Sequence, residues 1–97
     1  MKKKIFVTRR LLKENEEKLQ NLFDVTLNKN DKIYSPQEII NGSKNYDGIL
    51  SSVTDPISAD TISKLSNSIK IIANGAVGFG NIDIQAAKEK GITVTNT

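Results

Sequence analysis

Apolar runs of strand length alternate with segments of helical period along the whole of this 97-residue chain, five runs in all. That alternation is the pattern of βαβ units, because a parallel strand can be reached only through a crossover, and it confines the chain to a parallel sheet with helices on its faces. Strand one is expected at Ile5 to Thr8. A helix follows, with Leu11, Leu12, Leu19, Leu22 and Phe23 near one face and Glu14, Glu16, Glu17 and Lys18 outside; it leads into strand two at Val25 to Leu27. Asn28 to Lys32 reads as a polar turn. Ser35-Pro36-Gln37-Glu38 is a capping box with proline at the first helical position, ahead of Ile39 and Ile40. Strand three opens at Gly48-Ile49-Leu50, and Ser58 caps a helix whose inner side carries Ile62 and Leu65. Ile69 to Ala73, broken only by Lys70, reads as a strand with little exposure on either face. Asp83 caps the helix of Ala86 and Ala87, Gly91 closes it, and Ile92 to Val94 is strand five.

Five parallel strands joined by four helices predict a doubly wound α/β sheet in the flavodoxin-like order 2-1-3-4-5. Right-handed crossovers then place the first helix on one face and the other three on the opposite face. One face is left under-covered, and the sheet is expected to be incomplete without a C-terminal segment; the isolated chain should associate through that face or be less stable. The length suits one domain.

Composition narrows the chemistry. The chain has no cysteine and no histidine, which removes disulfides, thiolate metal sites, thiol nucleophiles and imidazole acid-base pairs. The net charge of +3 is spread along the chain apart from Lys2 to Lys4 and Arg9-Arg10, and no aromatic motif accompanies it, so a solvated surface is expected rather than a nucleic-acid interface. No apolar run approaches the ~20 residues that cross a bilayer, and the apolar part of the N-terminus is too short for a signal peptide. A cytoplasmic location and no membrane partner are the expectations.

In such sheets ligands bind beyond the carboxyl ends of the strands, which points to Thr8-Arg9-Arg10, Ser51 to Pro56 and Asn74 to Gly80. A phospho-acceptor domain would need an aspartate at the end of strand three, where Ser51 and Ser52 stand, and an acidic pair after strand one, where Thr8-Arg9 stand. A flavin phosphate loop would need hydroxyls where Arg9-Arg10-Leu11-Leu12 stand. Gly75, Gly78 and Gly80 are spaced G-x-x-G-x-G, the reverse of the dinucleotide fingerprint, and no acidic residue follows at about 20 positions. The dinucleotide reading therefore stays open only as the least favoured, and two others stand beside it. The glycines permit a tight turn, or they leave successive backbone N–H groups facing a carboxylate or phosphate, and the last is preferred. Arg9 is expected to be solvated or ion-paired.

The stretch Ile71-Ile72-Ala73-Asn74-Gly75-Ala76-Val77-Gly78-Phe79-Gly80-Asn81-Ile82-Asp83, with Ala86-Ala87, Gly91-Ile92 and Val94-Thr95-Asn96-Thr97, closely resembles the D-2-hydroxyacid dehydrogenases, above all those of glyoxylate-reductase type. The resemblance extends back through Thr54-Asp55-Pro56-Ile57 and Lys4-Ile5-Phe6-Val7-Thr8-Arg9. It departs from the family at Phe79-Gly80, where an aromatic-acidic pair is common, and at Gly75, where the residue is usually larger.

The resemblance implies a substrate-binding domain, residues 1–97, of an NAD- or NADP-dependent enzyme that reduces a small 2-oxo acid such as glyoxylate or hydroxypyruvate. By it, the amides of Val77 and Gly78, beside Ala76, hold the substrate carboxylate, and Ser52, Val53 and Thr54 line the pocket. Family members resemble two-domain proteins in which the catalytic residues and a Rossmann cofactor domain lie elsewhere, and the far C-terminus returns to the first domain. No residue here is therefore expected to be catalytic, to bind the cofactor or to bind a metal, and the isolated chain is expected to be inactive. A stand-alone anion-binding or regulatory module and a non-functional truncated product are the alternatives.

Overall fold

The computed structural model describes residues 2–9, 11–28, 30–52, 55–75 and 81–96. Five strands form one parallel sheet in the order β2-β1-β3-β4-β5: β1 (Lys4–Val7), β2 (Asp24–Thr26), β3 (Gly48–Ser52), β4 (Ile71–Gly75) and β5 (Thr93–Asn96). The crossover helices are α1 (Lys13–Leu22), α2 (Pro36–Gly42), α3 (Ala59–Lys64) and α4 (Ile84–Glu89). The predicted order and connectivity are those observed.

Local chemistry explains the helix ends. Ser35 and Glu38 form a reciprocal capping box: the Glu38 amide donates to Ser35 Oγ at 3.2 Å, and the Ser35 amide donates to Glu38 Oε1 at 3.0 Å. Ser58 Oγ and Asp83 Oδ1 cap α3 and α4 by accepting from the amides of Thr61 and Ala86. Gly91, at φ +80°, closes α4: its amide reaches the Lys88 carbonyl at 3.0 Å and the Ile92 amide reaches the Ala87 carbonyl at 2.8 Å. This is a Schellman motif, and it needs the left-handed conformation that glycine adopts without strain.

The core lies on the face covered by α2, α3 and α4. Ile39 of α2, Ile62 and Leu65 from the α3 region and Ala87 of α4 pack on Ile49 of β3 and Ile72 of β4, with Ile57, Ile69, Ile82 and Ile92 from the connections completing the cluster. On the same side Phe6 of β1 stacks on Tyr34 and meets Tyr46 edge-on.

On the opposite face stands α1, and here two expectations are corrected. Leu12 and Leu22 are each 67% exposed, whereas Glu16 is buried at 5%. At 3.6 residues per turn, Glu16 shares its stripe with Leu19 and Phe23, while Leu22 falls to the side. Leu12 is the N-cap and extended, so it leaves the stripe. Burial of Glu16 is offset by Oε2 accepting the Leu11 amide at 3.2 Å. The second correction concerns β4, which begins at Ile71 rather than Ile69 because its ladder starts opposite Gly48. It is not shielded on both faces: Ile71 is 37% exposed and Ala73 half-buried. α1 packs beside β2, at one edge of the sheet, and Ile5, Leu50, Ile71 and Ala73 line an open groove of about 330 Å³ beside Leu19 and Phe23. Strands one, two and five are each displaced by one or two residues from their expected positions for the same reason, since pairing with neighbours sets the ladder ends.

Candidate functional site

Beyond the carboxyl ends of β1, β3 and β4 the chain gathers polar side chains that are buried and bonded to one another. Thr8, directly after β1, donates its amide to the Leu50 carbonyl at 3.1 Å and its hydroxyl to Asp55 Oδ2. The same carboxylate oxygen accepts the Ser52 amide at 2.9 Å and the Ser52 hydroxyl at 3.2 Å. The Asp55 amide returns to the Ser52 carbonyl at 3.0 Å, so Ser52 and Asp55 hold each other at the end of β3. Asp55 is fully buried, and among the described residues its Oδ1 is the buried side-chain atom without a hydrogen-bond partner.

The β4 end joins the same cluster. Asn74, also fully buried, accepts the Ser51 hydroxyl at 3.0 Å and donates Nδ2 to Asn81 Oδ1 at 2.9 Å. Asn81 Nδ2 in turn donates to the carbonyls of Ser52 and Asp55, both at 2.9 Å. On the β1 side Asn28 Nδ2 donates to the Thr8 carbonyl at 2.8 Å and the Lys32 carbonyl at 2.6 Å, anchoring the turn after β2. Arg9 forms a two-pronged ion pair with Asp31, Nε to Oδ1 at 2.8 Å and a terminal nitrogen to Oδ2 at 3.2 Å. The hydrogen bond to Asp31 raises the guanidinium pKa above its ordinary value; partial desolvation opposes this, and attraction to Asp31 and Asp55 adds to it. Arg9 is thus ion-paired, as expected of it.

Of the residues singled out in the sequence, Ser52 is placed here, half-buried, with its amide and hydroxyl engaged by Asp55. Val53, Thr54, Ala76, Val77 and Gly78 lie outside the described residues. The structure sets the ends of both segments that contain them side by side: the Ile57 amide donates to the Asn81 carbonyl at 2.7 Å, and the Asp83 amide donates to the Ile57 carbonyl at 2.9 Å. Asp55, Asn74, Asn81 and Thr8 were given no role from sequence. The available signal was short polar side chains at or a few residues past the ends of β1, β3 and β4, where a sheet's buried backbone groups need partners. Chemically, the described polar groups hold one another and the main chain in place, an arrangement that orients loops.

A D-isomer specific 2-hydroxyacid dehydrogenase catalytic-domain family matches residues 5–97, and the chain belongs to that family of oxidoreductases. Its relatives include the glyoxylate reductase of Korarchaeum cryptofilum, 37% identical over 97 residues, and that of Aeropyrum pernix, 35% identical over 96 residues. These alignments cover 100% and 97% of this chain but only 29% and 28% of the relatives, so the chain spans less than a third of their length. Among solved structures, a D-isomer specific 2-hydroxyacid dehydrogenase, NAD-binding, from a Polaromonas species superposes with a TM-score of 0.92 at 32% identity, over 97% of this chain and 30% of that one. An NAD+-bound 3-phosphoglycerate dehydrogenase of Entamoeba histolytica superposes with a TM-score of 0.83 at 25% identity, over 100% of this chain and 33% of that one.

Proposed function

We propose that these residues form the substrate-side domain of an NAD(P)-dependent D-2-hydroxyacid dehydrogenase acting on a small 2-oxo acid of the glyoxylate or hydroxypyruvate kind. The observation that carries the reading is the match to glyoxylate reductases over the whole of this chain, together with a strand-end cluster that joins Asn74 and Asn81 to Ser52 and Asp55. Val77 and Gly78 would present main-chain N–H groups to the acid's carboxylate, with Ala76, Ser52, Val53 and Thr54 around it; such charge-assisted bonds contribute roughly 1.5 to 3 kcal/mol each. The domain's part in the reaction is to orient the acid so that its 2-carbon faces the hydride donor.

The nicotinamide cofactor supplies that hydride when bound. The described residues do not suit it: Asp83 already caps the N-terminus of α4 by accepting the Ala86 amide at 3.0 Å, placing a carboxylate where a dinucleotide's pyrophosphate would otherwise be received. By the family resemblance the cofactor site and the acid-base residues are read as lying in other parts of the enzyme, and the 97 residues alone are expected to be inactive. The open groove on the α1 side is read as the surface that receives the rest of the enzyme, or a second copy when the chain is isolated. Neither nucleic acid nor membrane is expected as a partner, and the cytoplasm is the expected location.

The test is steady-state kinetics on the protein read through the whole open frame containing these residues, with NADH and NADPH against a series of 2-oxo acids. Turnover of glyoxylate or hydroxypyruvate is expected, and Gly78→Val should raise the KM for the acid more than that for the cofactor. Absence of any 2-oxo acid reduction would refute the reading.

A further inference from the structure

Asn81 stands where the two loop-bearing connections meet. Its amide donates to the carbonyls of Ser52 and Asp55, residues 29 and 26 positions away in sequence, each at 2.9 Å, and more weakly to Asn74 Oδ1 at 3.3 Å. The direction of that amide is itself imposed. Asn81 Oδ1 accepts from Asn74 Nδ2 at 2.9 Å, and Asn74, fully buried in β4, is oriented by the Ser51 hydroxyl at 3.0 Å. A relay Ser51–Asn74–Asn81 thus aims the amide at the carbonyls of Ser52 and Asp55. The main-chain pair between Ile57 and Asn81–Asp83 would hold the connections adjacent without it, but would leave those two carbonyls to find other donors.

We propose that Asn81 is a positioning residue for the acid pocket: its amide ties Ser52 and Asp55, which flank residues 53–54, to Asn74 and to Asn81 itself, which flank the segment proposed to meet the acid. The inference rests on the reading that residues 52–54 and 76–78 face the acid. The side chain must be a short primary amide. Aspartate has its shape but sets a carboxylate oxygen against two carbonyl oxygens, and glutamine keeps both donors on a stem one methylene longer.

The experiment compares the whole-frame protein with its Asn81→Asp, Asn81→Gln and Ser51→Ala variants, measuring KM for the acid, KM for the nicotinamide, kcat and the melting midpoint. Asn81→Asp should raise the acid KM about tenfold, the consequence of losing roughly 1.4 kcal/mol of placement, with the nicotinamide KM within about twofold. Asn81→Gln should recover part of that loss, and Ser51→Ala should raise the acid KM about threefold through the misdirected Asn74. A lowered melting midpoint with an unchanged acid KM would make Asn81 merely structural and overturn the proposal, as would an equal rise in both KM values. Amide hydrogen exchange over residues 49–57 reads this tie without turnover: faster exchange in Asn81→Asp supports it, or in Ser51→Ala should the former not fold, and unchanged protection overturns it. If the unmutated protein reduces no 2-oxo acid, the functional reading fails, while exchange still decides the role of Asn81.

Discussion

Lys90, the C-cap of α4, reaches across to α3 and donates its ammonium to the carbonyls of Ile62 at 2.9 Å, Ser63 at 3.2 Å and Leu65 at 2.6 Å. The α3 helix is six residues long, so its last four carbonyls are end carbonyls; that of Ile62 also accepts the Leu65 amide at 3.1 Å, and Lys90 serves it together with those of Ser63 and Leu65. Replacing Lys90 by methionine keeps the apolar stem and removes the charge and donors. One charge-assisted bond contributes roughly 1.5 to 3 kcal/mol; three to one ammonium do not add, and the exposed carbonyls regain water, so a loss of about 2 kcal/mol is expected. Lys88→Met is the matched control. That side chain is exposed in the last turn of the same helix, where the favourable helix-end interaction is worth only about 0.3 to 1 kcal/mol. In urea melts followed by circular dichroism at low protein concentration, Lys90→Met should lower the midpoint well beyond Lys88→Met at constant m-value. In heat it should melt about 8 to 16 °C below the unmutated chain. Equal midpoints for the two variants would show that water serves the α3 carbonyls as well as Lys90 does, and the reasoning would fail.

Gly48→Ala should cost about 1 to 3 kcal/mol by overpacking, since a Cβ there would stand 2.8 Å from Ile71 Cγ2 and 3.3 Å from the Ile71 carbonyl; a denaturant midpoint equal to that of the unmutated chain would contradict this. The hydrogen bond from Lys32 Nζ at 2.7 Å, helped by the Ser35 amide, holds the Glu38 carboxyl below the usual glutamate range. A lowered folded-state pKa contributes stability above the unfolded value that is lost as pH falls through the folded one. The stability advantage over Glu38→Gln should therefore be present at neutral pH and shrink in acid, and a pH series of melts in which it grows instead would refute the assignment. Ile71→Lys, on the bare side of β4, should reduce self-association of the isolated chain in sedimentation, whereas an unchanged distribution would mean that this face makes no contact in solution.

What could be read from sequence was what the chain encodes locally. Ser35-Pro36-Gln37-Glu38, Ser58, Asp83 and Gly91 each act on backbone groups within five residues, and each stands where expected. The strand order followed as well, because short crossovers between five apolar runs allow little else. The inner face of α1 differs from the leucine pattern because the helical phase puts Glu16 on the buried stripe and Leu22 off it. The sequence points to the strand-end segments that hold the polar cluster but not to its mutual bonding. The cluster's bonds join Thr8 to Asp55, Ser51 to Asn74 and Asn81 to Ser52, partners separated by 47, 23 and 29 positions, and only the parallel register brings them together. The family resemblance pointed to the segments proposed to bind the acid but said nothing of what holds their ends.

Transplantation puts the assignment to its most direct test. Residues 1–97 would replace the aligned segment of the Korarchaeum cryptofilum glyoxylate reductase, of which they cover 29%, leaving the remainder of that enzyme intact. Oxidation of NADH or NADPH would then be followed against glyoxylate, hydroxypyruvate and larger 2-oxo acids. A domain that orients the acid should give a chimera that turns over, with a nicotinamide KM like that of the parent and a KM and preference for the acid set by the transplanted residues. A folded chimera that binds the nicotinamide yet reduces no 2-oxo acid would contradict the account.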